Sequence, residues 1–268
     1  METSTNILKT SEQVSLANIK RSLNRENVKQ KFSEMLGQKA VGFIASVSTA
    51  VTNNKLLHKA DPDSIIMAAG IAATLDLPIN PNLGFAAIVP YGNQASFQLM
   101  YKGLIELCQR SGQFLSIIDE VVYEGQLIRK NKFTGEYEFN EDAKKSNKVI
   151  GYMAYFKLVN GFSKTSYMTY DEVKAHALKY SQSYKKNYGV WADDFDIMAR
   201  KTVLKLLLAK YAPKSIEVQK AIMYDQSVVK GDIDNIECAE AEYIDNDTIT
   251  TDERKDELRE NTNPIDLP

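Results

Sequence analysis

The 268-residue chain contains little of what disulfide-stabilised, secreted or membrane proteins require. Its two cysteines, Cys108 and Cys238, are too few for a disulfide framework, which is typical of a reducing compartment. The N-terminus lacks the apolar segment of a secretory signal, and no run approaches the roughly 18 consecutive apolar residues of a membrane helix. We therefore expect a cytoplasmic protein that has no contact with membranes.

The motifs of most metal and nucleotide chemistry are also missing. The two histidines, His58 and His176, share no metal-ligand spacing with a cysteine, and neither C-x-x-C nor H-E-x-x-H occurs. A phosphate loop, a dinucleotide fingerprint and a G-x-S-x-G elbow are absent. Residues 161–165 contain the Lys-Thr pair of a phosphate loop but lack the glycine before it. We expect no metal, no cofactor and no chemical catalysis.

Acidic residues are sparse in the body of the chain and concentrated at its end. Residues 231–268 contain thirteen acidic and three basic residues, whereas residues 1–230 contain 22 acidic and 30 basic residues, a net charge of +8. A basic body with an acidic, aromatic-poor tail recurs in proteins that bind polyanions. A solvating tail on an unrelated enzyme would have the same composition, so charge alone leaves both interpretations open.

Neighbouring carboxylates offer the alternative from another functional class. Asp119 and Glu120 are adjacent in a predicted strand, where neighbours point to opposite faces of the sheet, so a structural role is favoured. Scattered carboxylates can still converge in a fold. A magnesium-dependent nuclease that uses Asp119, Glu120 and Glu124 therefore remains the alternative.

Helical patterns dominate the two ends of the chain. Apolar residues recur at helical spacing over residues 32–57, and Asp61-Pro62 predicts the start of the next helix. A helix is predicted over residues 101–111. Two more are predicted from a Thr169/Glu172 capping box to about residue 183, and over residues 193–211.

Strand patterns fill the middle of the chain. Tyr91-Gly92-Asn93 and Asn160-Gly161 are hairpin turn signals. The predicted strands are residues 85–90, 96–100, 115–123, 127–129, 137–139, 149–159 and 163–168. Strands with helices before and after them predict an α+β fold, in which antiparallel hairpins pack with helices.

Composition suggests three parts. Residues 1–31 are polar with isolated apolar positions, so we predict a flexible N-terminal arm. Residues 32–216 form the predicted core. Residues 217–268 are predicted to be an acidic, largely disordered tail, in which residues 233–244 would contact a partner or restrain the protein itself.

Basic residues interleaved with aromatic residues are the main functional signal. Cations for phosphates and rings for stacking are what single-strand binding requires. Near the second predicted strand these are Gln98, Tyr101, Lys102 and Arg110, of which the last two share a helix face with Glu106 and could simply form ion pairs with it. In and beside the middle hairpin they are Arg129, Lys130, Lys132, Lys144, Lys145 and Lys148. A further group is Tyr180, Tyr184, Lys185, Lys186, Tyr188 and Trp191.

The last predicted helix, residues 193–211, places two lysines among apolar residues on nearly every side. Such a helix is buried, and two unpaired buried ammonium groups would be too costly. Lys201 and Lys205 must therefore reach carboxylates or open onto a groove, and a groove for a phosphate chain would explain both. Lysines that snorkel to the surface are the alternative.

An ordered series of motifs over about residues 32–216 resembles the RecT family of phage single-strand annealing proteins, in particular those carried by prophages of Gram-positive bacteria. The motifs are Leu77-Pro78-Ile79-Asn80-Pro81, Ala87-Ile88-Val89-Pro90-Tyr91-Gly92, residues 98–107, Arg110-Ser111-Gly112, Val122-Tyr123-Glu124, the strand 151–156, and Trp191 followed by Phe195 and residues 198–203.

The resemblance implies ATP-independent annealing of complementary DNA strands during homologous recombination. It implies a core similar to Rad52-type annealing proteins and a homo-oligomer, either a ring or a helical filament. The implied partners are single-stranded DNA and annealed duplex, a phage 5′-3′ exonuclease, and the host single-strand-binding protein.

We therefore predict a DNA-annealing protein that holds DNA in a basic groove along the oligomer. Phosphates would be bound by Lys102, Arg110, Lys201 and Lys205, Gln98 would contact backbone or base, and Phe97, Tyr101 or Trp191 would pack bases or shape the groove wall. The remaining predicted DNA-binding residues are Arg129, Lys130, Lys132, Lys144, Lys148 and Arg200. A DNA-binding scaffold without annealing activity is the third interpretation.

Overall fold

The computed structural model describes residues 11–243 apart from positions 81, 132, 188, 189, 214, 215, 226 and 239. Four helices come first: α1 (Ser11–Leu23), α2 (Glu26–Leu36), α3 (Ala40–Asn53) and α4 (Pro62–Thr74). The middle contains β1 (Ala86–Tyr91), β2 (Gln94–Leu99), α5 (Tyr101–Arg110), β3 (Phe114–Tyr123), β4 (Leu127–Asn131), β5 (Glu136–Phe139), β6 (Val149–Leu158) and β7 (Ser163–Thr169). The last part contains α6 (Tyr170–Tyr180), α7 (Gln182–Lys185), α8 (Val190–Asp193), α9 (Phe195–Tyr211), α10 (Ile216–Tyr224), β8 (Ser227–Lys230) and β9 (Glu240–Tyr243).

The strands form antiparallel sheets, so the predicted α+β class is confirmed. The first sheet has the order β1-β2-β8-β9, the second has the order β3-β6-β7, and β4 and β5 form a separate two-stranded ribbon. One face of the second sheet, which includes Tyr152, Ala154 and Phe156, is buried, and helix α9 packs against β6. The apolar faces of sheets and helices thus close one connected core.

Helix α4 lies at the centre of the first sheet's packing. Asp61 caps its N-terminus by accepting a hydrogen bond from the Ser64 amide, and Pro62 occupies the first turn, as the sequence predicts. Every residue from Ser64 to Ala73 is buried, because the helix contacts α1, α2, β2 and β8. A helix that is apolar on all sides belongs inside the protein.

Local signals predicted most turns and caps correctly. The hairpins turn at Gly92 and Gly161, both with positive φ. Thr169 and Glu172 form the predicted capping box of α6. Two boundaries differ: α6 ends at Tyr180, and α9 begins at Phe195 because Asp194 caps it from outside.

The N-terminal region differs from the predicted flexible arm. Residues 11–31 lie in α1 and α2, and their scattered apolar side chains, such as Ile19, Leu23 and Val28, are almost completely buried. These residues are too sparse to form a core by themselves, but α4 supplies the apolar surface that they pack against. Residues 1–10 lie outside the described part of the chain.

The start of the predicted acidic tail also differs from expectation. Residues 216–224 form α10, and β8 adds to the first sheet beside β2, with Ser227 opposite Phe97. Ile233 and Ile236 then cover Gly70 of α4 so closely that a side chain at Gly70 would overlap them. The folded part therefore extends to at least residue 243, and the rest of the predicted tail lies outside the described residues.

Among the described residues, no helix combines the length and the apolar character that crossing a membrane would require.

Candidate nucleic-acid interface

A buried carboxylate, Asp119, joins three elements at the edge of the second sheet. Its side chain on β3 is 4% exposed. It accepts a hydrogen bond of 2.5 Å from the hydroxyl of Tyr101 at the start of α5 and one of 2.8 Å from Nε of Arg200 on α9. A second guanidinium nitrogen of Arg200 donates to the Asp119 carbonyl at 2.7 Å. Asp119 thus determines the positions of both predicted DNA-binding side chains.

The same junction sets the protonation of its members. Burial and the hydrogen bond to Asp119 both raise the pKa of Tyr101 above its usual value, so the hydroxyl stays a donor. Burial acts to lower the pKa of Arg200, but the Asp119 carboxylate outweighs it, and the pKa rises. The Arg200 side chain remains 34% exposed, so it can also face a ligand.

A second buried carboxylate, Asp225, joins α9 to the first sheet. One of its oxygens accepts from the Leu99 amide at 2.9 Å, and the other accepts from the Lys205 ammonium at 2.5 Å. Asp225 is 1% exposed, and the Lys205 side chain is 25% exposed. The name α9 cluster is used for the residues at these two carboxylates and for Lys201 between them on α9: Tyr101, Asp119, Arg200, Lys201, Lys205 and Asp225.

Lys201 differs from its neighbours on α9. The residue is 7% exposed and has no hydrogen bond or ion pair with any described residue. Burial lowers its pKa, the nearby Asp225 charge opposes this shift, and the Lys205 charge adds to it. The sequence required these lysines to reach a carboxylate or a groove: Lys205 reaches the carboxylate, and both side chains line a cavity beside α9.

The ribbon of β4 and β5 and the loop after it carry a different kind of basic surface, called the hairpin surface: Arg129, Lys130, Lys144 and Lys148 together with Tyr123, Tyr137 and Tyr167. All four cations are exposed, and none forms an ion pair with a described residue.

Aromatic rings hold two of these cations. The Lys130 ammonium lies 5.9 Å and 5.7 Å from the ring centres of Tyr137 and Tyr167, and that of Lys144 lies 3.5 Å from Tyr123. Cross-strand pairing places Lys130 beside Tyr137 on one face of the ribbon and Arg129 beside Glu138 on the other. The Lys130 face is therefore basic and aromatic, whereas the Arg129 face also carries Glu136 and Glu138. Lys132, predicted for the same surface, lies outside the described residues.

Two aromatic residues that were predicted to contact DNA are buried in the structure. Phe97 is completely buried in the first sheet, so the prediction that it packs bases or shapes a groove wall is wrong. Its register in β2 points it to the core, whereas the next residue, Gln98, points to the other face and is half-buried. Trp191 is 7% exposed within an aromatic cluster with Tyr184 and Phe195, and it lines the cavity beside α9.

The two predicted cations of α5 have different surroundings. Arg110 donates to the Leu75 carbonyl at the end of α4 and faces Asp76 and Glu217 at 3.9 Å and 3.5 Å, so it serves the packing of α4 and α10. Lys102 is exposed, and its stem passes over Gly84. Helical spacing would allow Glu106 to form an ion pair with Lys102 or Arg110, but within the described part of the chain neither pair forms.

The carboxylates of the nuclease alternative do not converge. Asp119 points inward to Arg200, Glu120 points to the other face of β3, and Glu124 accepts a hydrogen bond from Ser146. No group of three or more His, Cys, Asp or Glu within the described ranges could hold a metal ion. The geometry therefore does not support a magnesium site built from these three residues.

Asp225 is the member of the α9 cluster that the sequence did not indicate, because the residue falls in the segment assigned to the tail. A helical pattern over residues 216–224 and the β-type run Val228-Val229 were the available signals.

The sequence of the chain also matches a protein-family model and known proteins. The model of the RecT family matches residues 41–240. The chain is 43% identical to the uncharacterized protein YqaK of Bacillus subtilis (strain 168) over 251 residues, which cover 93% of this chain and 87% of that protein. It is 29% identical to protein RecT of Escherichia coli (strain K12) over 224 residues, which cover 76% and 78% of the two chains.

Exposed cations beside aromatic rings on an α+β fold are features that a protein binding a polyanion requires. The chain belongs to the RecT family. Membership of this family supports a role in DNA annealing and recombination.

Proposed function

We propose that the chain binds single-stranded DNA and anneals complementary strands without ATP, as part of homologous recombination. The observation that carries the proposal is the hairpin surface, where four exposed cations lack carboxylate partners among the described residues and two of them lie over aromatic rings. Unpaired cations attract phosphates, and the half-buried rings of Tyr123 and Tyr137 give bases a surface to stack on, whereas Tyr167 is buried.

In this proposal the two basic regions have different tasks. The hairpin surface neutralises phosphates, while Arg200 and Lys205, held by Asp119 and Asp225, define where the strand runs. Base pairing itself then selects the partner strand, so the protein needs no chemical step. Gln98, Lys102 and Trp191 complete the proposed groove, and the annealed duplex is held along a homo-oligomer.

Apolar surface at the sheet edge supports assembly. Strand β3 is an edge strand of its sheet, and Leu115 and Ile118 on it are 64% and 44% exposed. Exposed apolar side chains beside an open strand edge favour contact with another chain. We propose a ring or helical filament of identical subunits, with a phage 5′-3′ exonuclease and the host single-strand-binding protein as further partners.

A strand-annealing assay tests the proposal. Two complementary labelled oligonucleotides are mixed with the protein in EDTA, without nucleotide, across a series of salt concentrations. We expect acceleration that fades as salt rises. Binding without acceleration would leave only a DNA-binding scaffold, and cleavage that EDTA abolishes would favour the nuclease alternative.

The α9 cluster is tested by the double variant Lys201→Ala/Lys205→Ala. We expect weaker DNA binding and slower annealing, because two cations are lost where the strand would run. Normal binding and annealing by the folded variant would remove both lysines from the proposed groove.

A further inference from the structure

A cavity of about 360 Å³ opens between α6 and α9. Its lining combines rings and charges: His176, Tyr180, Trp191, Lys201, Lys205 and Asp225. The volume is within the range of about 300–1,000 Å³ typical of sites for small molecules. The cavity is therefore large enough for more than solvent, and its walls carry both apolar and polar groups.

The charges of this cavity are unbalanced. Asp225 accepts a hydrogen bond from Lys205, which leaves the Lys201 ammonium as the unmatched charge among the described residues. Lys201 is 7% exposed and lines the cavity, so its ammonium is poorly solvated there and feels the Asp225 charge without a hydrogen bond to it. An anion that enters the cavity would give this ammonium a direct partner. His176 adds no fixed positive charge at neutral pH, since burial and the charges of Lys205 and Lys179 lower its pKa.

The rings narrow the class of anion. Trp191 is almost completely enclosed, and the rings of His176 and Tyr180 lie 4.6 Å apart on one wall. Flat aromatic walls bind the faces of nucleobases, while an ammonium binds phosphate. An acidic side chain would satisfy the ammonium but would leave the aromatic wall without a planar partner.

We propose that this cavity is a nucleotide-binding site, in which the Lys201 ammonium binds a phosphate and the base lies against the wall of His176, Tyr180 and Trp191. The nucleotide has two possible sources, a free nucleoside monophosphate or one nucleotide turned out of a bound DNA strand. The second source rests on the proposed annealing function, and the first does not.

Trp191 supplies the readout, because it is the only tryptophan in the chain. The full chain is titrated with thymidine monophosphate, with inorganic phosphate, with an oligothymidylate, and with an abasic oligonucleotide of the same length, while emission is excited at 295 nm. We expect thymidine monophosphate to give a saturable change and inorganic phosphate to give a much smaller one. The oligothymidylate should give a change that the abasic strand does not if a strand supplies the nucleotide.

Three variants locate the site. Lys201→Met should weaken binding of thymidine monophosphate about tenfold, because a charge-assisted contact is lost. Thr202→Leu, which narrows the cavity without removing a charge, should also weaken it. Lys210→Met removes the same charge from an exposed position on the same helix and should leave binding unchanged. Circular dichroism and calorimetric titration check folding and binding independently.

Two results would overturn the inference. If neither thymidine monophosphate nor the oligothymidylate changes Trp191 emission, while anisotropy still reports bound DNA, the cavity is not a nucleotide site. Trp191 would then also leave the proposed groove, and the proposed annealing function would stand. If inorganic phosphate reproduces the full change, the base does not enter. Binding of the mononucleotide without strand annealing would instead support the site and contradict the proposed function.

Discussion

The α9 cluster and the hairpin surface are both basic, but they bury their charges to different extents. In the α9 cluster, Arg200 and Lys205 are held by carboxylates that are 4% and 1% exposed. On the hairpin surface the cations are exposed and rest on rings or point into solvent. Buried pairs define geometry because breaking them is costly, whereas exposed cations contribute mainly long-range attraction. In the proposed function, the α9 cluster would thus position the DNA strand and the hairpin surface would attract it.

The largest expected effect comes from breaking the Asp119 junction. Asp119→Ala leaves the Arg200 guanidinium and the Tyr101 hydroxyl without their acceptor, and we expect the free energy of unfolding to fall by about 3 kcal/mol. Urea unfolding measures it. Glu120→Ala, on the exposed face of the same strand, is the control and should change stability by less than about 0.5 kcal/mol. Equal effects of the two variants would show that the buried junction does not stabilise the fold.

Removing charge from the hairpin surface should weaken DNA binding without lowering the stability of the fold. For Arg129→Gln/Lys148→Gln we expect unchanged stability but about 20-fold weaker binding of single-stranded DNA at 0.1 M salt. The physical reason is that each lost phosphate contact lowers the slope of log affinity against log salt by about 0.7 for single strands. Fluorescence anisotropy across a salt series measures the slope.

The matched control for that pair is Lys55→Gln/Lys59→Gln, which removes two exposed cations from a distant turn before α4. The control should retain nearly the full salt slope. Should both pairs reduce it equally, the hairpin surface would have no special part in DNA binding, and net charge alone would explain the attraction.

Tyr101→Phe is a smaller change at the Asp119 junction. The variant removes one hydrogen bond from Asp119 but keeps the ion pair with Arg200, and we expect a loss of about 1.5 kcal/mol. The raised pKa of Tyr101 means that wild-type stability falls above pH 10, where the unfolded chain loses this proton and the folded chain keeps it. The gap between wild type and variant should therefore narrow above pH 10, which thermal unfolding at several pH values detects. Tyr155→Phe, on strand β6 beside β3, serves as the control for stability and should show a smaller loss.

The smallest expected effect is a gain in stability. Lys201→Met replaces a buried ammonium by an apolar chain of similar length, and we expect the variant to be about 1 kcal/mol more stable, roughly 3 °C in Tm. Because burial lowers the pKa of Lys201, the unfolded chain binds this proton more tightly than the folded one. Wild-type stability should thus rise with pH towards 10.5, and the advantage of the variant should shrink. A variant less stable than wild type would show that the Lys201 charge is already compensated.

Local parts of the fold could be predicted from the sequence. The Asp61 cap, the Thr169 capping box and the turn at Asn160-Gly161 each depend on residues within a few positions of one another. Their chemistry needs no distant partner, so the local sequence predicts them. Boundaries were less certain, as the early end of α6 shows.

Elements that depend on distant contacts were missed. The apolar residues of α1 and α2 are too sparse to indicate a core, and they are buried because α3, α4 and the turn at residues 55–59 pack against them. Strand β8 pairs with β2 across a separation of 130 residues, from Phe97 to Ser227. Similarly, the sequence suggested Phe97 as a candidate for base stacking, but its position in β2 points the ring into the core.

The sequence by itself determined the family, the antiparallel hairpins and the requirement that Lys201 and Lys205 find either a carboxylate or a groove. That requirement follows from the cost of burying an ammonium, which holds in any fold. Only the tertiary structure decided how it is met, by bringing Asp225 to Lys205 and a cavity to Lys201. Asp225 lies 20 residues from Lys205 and 126 residues from Leu99, its other partner. Local sequence could not indicate these contacts, because they form only when the whole chain folds.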